Sequence, residues 1–147
     1  MTSDITAKQS NPHAATVSKG SLWTGRFLSA LSTLFLLVDG VMKLIKPAPV
    51  VEATVRLGYP ESVIQSLGTV LLVCTILYAI PRTSILGAIL LTGYLGGAVA
   101  SNVRVGNPLF SHILFPVYVA LLIWGGLYLR NSRLRGLIPV RDPERFS

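Results

Sequence analysis

Four runs of about twenty apolar residues, each closed by proline, glycine or charge, constrain this chain more than any other feature. They lie at about residues 22–45, 63–80, 84–103 and 109–129. A helix of ~20 residues rises ~30 Å, the thickness of the hydrocarbon core of a bilayer. Composition agrees. Charged residues make up 13% of the 147, against the ~25% usual for a soluble domain. The expected fold is all-α: a polytopic membrane protein whose four transmembrane helices form a bundle over residues 21–130. Residues 1–20 read as a disordered polar tail, and residues 131–147 as a basic, non-periodic one. The first apolar run starts late, at Leu22, and no small-residue cleavage site follows it, so a secretory signal peptide is not expected.

The punctuation is informative. Pro47 stops the first run and Pro81-Arg82 the second, because proline cannot donate a backbone hydrogen bond. Pro116 falls inside the fourth run, where it is expected to bend the helix. The connection KPAPVVEATVRLGYPES is too apolar for a solvated loop. Val50, Val51, Thr54, Val55 and Leu57 predict one short interfacial helix between spans one and two, stopped by Gly58. Trp23, Tyr78, Trp124 and Tyr128 near one set of span ends read as an interfacial aromatic belt.

Net charge is +7, from thirteen Lys and Arg against six Asp and Glu. The basic residues flank apolar runs, which points to lipid headgroups rather than nucleic acid. Four spans put both ends of the chain on one side. That side carries Lys8, Lys19, Arg26, Arg82, Arg130, Arg133, Arg135, Arg141 and Arg145; the other carries Lys43, Lys46, Arg56 and Arg104. The asymmetry predicts cytoplasmic N- and C-termini in a bacterial inner (cytoplasmic) membrane. Cys74, the one cysteine, excludes an intramolecular disulfide and reads as a small core residue.

Polar residues within the spans are the candidates for function. Asp39 and Lys43 share a helix face at i,i+4 and can pair, either as a structural ion pair or as a substrate or proton site. The topology brings Gln65, Asn102, Arg104, Ser111 and His112 to the same outer end, predicting a polar layer there. Such a layer is either a pocket for a small polar or amphipathic molecule or the hydrogen-bonded lid of a structural bundle. Gly93, Gly97 and Ser101 recur at i,i+4 and predict close helix packing, within the bundle or at a homodimer seam; Gly96 thins the same helix enough to leave room for a ligand. No pair of residues at metal-ligand spacing, no phosphate loop and no nucleophile triad stands out.

The stretches LFLLVDGVMKLIKP, LGYPESVIQSLG and GAILLTGYLGGAVASNVRVGNPLFSHILFPVYVALLIWGGLYLR, in that order, resemble the DoxX-like family of small bacterial membrane proteins. The resemblance covers about residues 27–139. It is carried by Gly40-x-x-Lys43-Leu44, Leu57-Gly58-Tyr59-Pro60 and the Gly97-Ala98 region. It implies a four-helix membrane bundle, and a loose link to membrane redox chemistry, since the wider family is named for a subunit of a thiosulfate–quinone oxidoreductase. Relatives often carry a His at the end of span three. This chain has Asn102, an amide that cannot exchange protons as imidazole does.

Three functions fit these features. The first is a non-catalytic subunit of a membrane complex that binds a small molecule or a partner protein. The second is an accessory subunit of a quinone-linked oxidoreductase, with quinone docked at the polar layer; no other cofactor is suggested. The third is a small transporter component, against which stands the lack of a polar path across the inner leaflet.

Overall fold

The computed structural model describes residues 19–137, so the expected tails at 1–20 and 131–147 lie largely outside the described residues. Helices α1 (Lys19–Ile45), α2 (Ala48–Arg56), α3 (Ile64–Ala79), α4 (Ser84–Arg104), α5 (Phe115–Arg130) and α6 (Ser132–Leu137) follow in order. Four segments are long and apolar enough to cross a membrane: Lys19–Ile45, Glu61–Ala79, Ser84–Arg104 and Leu109–Arg130. They match the expected spans closely, because apolar length and proline punctuation are read directly from the chain. α2 occupies the connection where a short helix was expected.

The spans pack as a ring. α1 lies against α3 and α5, and α4 closes the ring by packing on the same two helices. α1 and α4 therefore stand diagonally. Leu36, Leu71, Leu91, Ile123 and Leu127 fill the centre, while Phe27, Leu34, Val70, Ile89 and Leu121 face outward as a lipid-exposed surface. Buried Cys74 sits within this core, as its apolar surroundings in sequence suggested.

Lipid cannot drive helices together by the hydrophobic effect, so close backbone approach must hold the ring. Two glycine pairs supply it. At the α1–α5 crossing, a Cβ on Gly25 would lie 3.0 Å from the Gly126 carbonyl oxygen, and one on Gly126 only 2.9 Å from the Ser29 backbone nitrogen. At the α1–α3 crossing, a Cβ on Gly68 would lie 3.0 Å from the Gly40 carbonyl oxygen. Several hydroxyls in these helices fold back on the carbonyl four residues earlier, as Ser32 does on Leu28 and Thr75 on Leu71, and among the described residues no fully buried side-chain nitrogen or oxygen lacks a partner.

The helix ends near α2 are shaped by left-handed residues. Gly58 has φ +84°, and the amides of Gly58 and Tyr59 donate to the carbonyls of Val55 and Thr54. Gly106 repeats this after α4, with φ +70° and bonds to Val103 and Asn102. These are Schellman stops, in which glycine avoids a Cβ penalty. α1 ends instead on Lys46 at φ 53°, whose amide donates to Met42. A lysine there carries the steric cost that glycine would avoid.

Three expectations need correction. Pro116 does not bend the middle of a continuous helix. A π-helical turn (Leu109–Ile113) ends first, and α5 restarts at Phe115, placing Pro116 in the opening turn where no donor is required. Tyr78 is not part of an aromatic belt: it is fully buried, and its hydroxyl bonds Ser29 and the Ile123 carbonyl. The stretch after Arg130 is not wholly irregular. α6 turns back, burying Leu134, while the Arg135 guanidinium donates to Ser21 and to the carbonyls of Tyr128 and Leu129. Arg135 thereby satisfies carbonyls that the end of α5 would leave open.

Candidate functional site

At the end of the bundle where α1 and α4 finish and α5 begins, the diagonal between α1 and α4 is not filled. The result is a cavity of about 550 Å³. Phe35, Leu36, Leu95 and Val119 form apolar walls, and Pro49, Val50, Ala53, Thr54 and Leu57 of α2 and its C-cap roof it. The spacing of Val50, Thr54 and Leu57 puts all three on one face of α2, which explains why a nine-residue helix can serve as a roof. Phe35 and Phe115 meet edge to face at 5.5 Å along one wall.

Gly93, Gly97 and Ser101 form the α4 wall. Within the chain, this small-residue face is not where the helices touch. A Cβ on Gly93, Gly96 or Gly97 would meet nothing within 4 Å, so the face does not close on a neighbouring helix. The contacts that hold the ring come from Gly25, Gly40, Gly68 and Gly126 instead. Glycine spacing alone cannot distinguish a packed face from a hollow one, since both need the missing side chain.

Two polar pairs interrupt the apolar lining. Lys43 Nζ lies 2.5 Å from Asp39 Oδ1. The Asp39 side chain keeps 37% of its surface open and that of Lys43 16%, so the carboxylate is the more accessible partner. Across the connection, the Tyr59 hydroxyl lies 2.7 Å from Ser101 Oγ, and Ser101 also donates to the Gly97 carbonyl. With its proton directed to Gly97, Ser101 accepts from Tyr59. Buried ion pairs and hydroxyls are costly without partners, and both sets have one.

The other residues expected in a polar layer do not converge on the cavity. Asn102 is buried, but its amide donates to the Ala98 carbonyl and accepts from the Asn107 side chain, bracing the α4–α5 turn. Arg104 is exposed and its guanidinium reaches the Leu57 carbonyl, 2.5 Å away, pinning the end of α2. Gln65 is exposed in the first turn of α3 and does not line the cavity. Ser111 and His112 are exposed and bond each other at 2.7 Å. Depth along the bundle is shared by all seven, but helix azimuth separates them, and azimuth needs the packing.

Tyr59, Thr54 and Tyr94 line the cavity without having been singled out as site residues. For Tyr59 a signal existed: it follows the left-handed Gly58, which turns the chain back over the bundle. Among the described residues, no group of three or more His, Cys, Asp or Glu side chains is placed to hold a metal ion.

The DoxX-like family model matches residues 27–126. This chain belongs to the DoxX-like family. The matched region contains the cavity's roof, walls and polar pairs, and the DoxX-like assignment agrees with a small multi-pass integral membrane protein. No curated protein and no solved structure matches the chain.

Proposed function

We propose that this DoxX-like protein is a non-catalytic binding subunit of a membrane complex, and that the cavity beside α2 receives a small amphipathic molecule from the bilayer. The observation that carries this reading is the open α4 wall at Gly93 and Gly97, next to a paired but accessible Asp39. A volume near 550 Å³ lies within the ~300–1,000 Å³ usual for small-molecule sites. The apolar walls suit a hydrocarbon or prenyl body. The polar end of the ligand would meet the Asp39–Lys43 pair and the Tyr59 hydroxyl. A quinone is one molecule of this shape, its carbonyls suited to the Lys43 ammonium. The partner protein would belong to the same complex.

Thermal unfolding of the purified full chain in mild detergent, with decylubiquinone, oleic acid or monoolein added separately, tests this reading. At saturation at least one probe should raise Tm by about 5 °C, the scale expected from ligand well above Kd. Asp39→Asn should abolish the rise. No response to any of the three would contradict the reading, and a response to decylubiquinone alone would favour a quinone-linked complex.

The orientation proposed places the cavity at the outer end and both termini in the cytoplasm of a bacterial cell, following the Lys and Arg asymmetry. An alkaline phosphatase fused after Ser147 should be inactive, and one inserted at Gly106 should be active. The reverse pattern would place the cavity on the cytoplasmic face.

A further inference from the structure

The opposite end of the bundle carries a second cavity of about 530 Å³, between the start of α1, the α3–α4 turn and the α5–α6 junction. Its lining differs in kind from the first. Arg26, Arg82 and Arg130 come to it from three separate elements, and among the described residues no acidic side chain lines it. Half-buried Leu22 and Ile85 continue the wall toward the lipid-facing part of the bundle, and buried Leu127 closes it on the core side.

The three arginines are not equivalent. Arg130 is committed: its guanidinium donates to the Tyr78 carbonyl and stacks 5.1 Å from the Tyr78 ring centroid. That contact fixes one positive charge at the back of the notch. Arg26 and Arg82 are exposed, and among the described residues neither makes a hydrogen bond or ion pair. Like charges gathered around one concavity repel each other unless an anion joins them. Ser84 and Ile85 open α4 at the same place, so the positive end of that helix dipole adds to the field. Guanidinium groups present forked donors matched to phosphate oxygens.

We infer that the notch framed by Arg26, Arg82 and Arg130 binds a phosphate group, supplied by the headgroup of an anionic phospholipid whose acyl chains run along Leu22 and Ile85. Arg130 holds the phosphate from behind, and Arg26 and Arg82 close on it from the two sides. The site lies at headgroup depth, where two spans begin and two end, so a lipid reaches it without leaving the bilayer. It is separate from the cavity beside α2 and does not depend on what that cavity holds.

The test uses the full chain, delipidated in mild detergent, as wild type and as the double variant Arg26→Gln/Arg82→Gln. Among the described residues those two make no hydrogen bond or ion pair, and unfolding of the variant without added lipid, expected within a few degrees of wild type, checks that it keeps its fold. Dioleoylphosphatidylglycerol, dioleoylphosphatidylcholine and inorganic phosphate are added separately, and bound species are counted by native mass spectrometry alongside thermal unfolding. Wild type should retain one phosphatidylglycerol that the double variant binds about tenfold or more weakly, with phosphatidylcholine and inorganic phosphate giving little protection. Protection by inorganic phosphate that equals the lipid's and is lost in the variant would keep the anion site but make a soluble phosphate its source. Equal phosphatidylglycerol binding by wild type and variant would overturn the proposal.

Discussion

Replacing Gly87 with alanine should destabilise this protein severely, while the same replacement at Gly93, on the same helix, should stabilise it. Gly87 is buried in the first turn of α4, where α3 turns back on it. A Cβ there would sit 2.5 Å from the Tyr78 Cα and closer still to the Tyr78 nitrogen. These are backbone atoms, so no rotamer change relieves the overlap and α3 must move away from α4. Tyr78 would move with it. Its hydroxyl bonds to Ser29 and Ile123 join α3 to α1 and α5, and its carbonyl accepts from Arg130. One methyl group therefore disturbs all four spans, and a loss of about 3 kcal/mol or more is expected, the upper range for overpacking. At Gly93 the added methyl meets nothing within 4 Å. What remains is the gain of about 0.5–1 kcal/mol for alanine over glycine inside a helix. Unfolding of the two variants in matched detergent should shift in opposite directions. Shifts of the same sign would mean that the α3–α4 packing is misplaced.

Gly97→Leu should leave stability nearly unchanged and abolish binding in the cavity beside α2. The backbone at Gly97 is ordinary helix, and no atom lies within 4 Å of an added Cβ. A leucine side chain can extend into the space between Tyr59, Ser101 and the Phe35 wall. It occupies volume that the ligand needs, and it buries its own apolar surface in doing so. Probe affinity should fall about a hundredfold or more, since a ligand excluded from its pocket loses several kcal/mol of contact. Tm should stay within a few degrees of wild type. A large drop in Tm would restore the packed reading of the Gly93, Gly97 and Ser101 face.

What could be read in advance follows from which properties are local to the chain. The four spans, the short α2 and its stop at Gly58 were legible because apolar length, proline and glycine act within a few residues. The Asp39–Lys43 pair was legible for the same reason, since i,i+4 spacing on one helix fixes it. Which of the seven polar residues line the cavity was not legible: Asp39 and Lys43 do, and Gln65, Asn102, Arg104, Ser111 and His112 do not. Arg104 turns to the Leu57 carbonyl and Asn102 to Asn107, choices made by how α4 is rotated against its neighbours. Gly87 and Gly97 are the same residue type on the same helix, one crushed against backbone and the other facing a hollow. Only the ring order, with α1 and α4 on the diagonal, separates them.

Native mass spectrometry of the full chain, purified from its own membranes without added lipid, tests most directly whether the cavity beside α2 is a binding site. Wild type should carry a molecule of defined mass that survives in Arg26→Gln/Arg82→Gln and is missing from Gly97→Leu. Wild type and Gly97→Leu carrying the same bound masses in the same proportions would contradict the account.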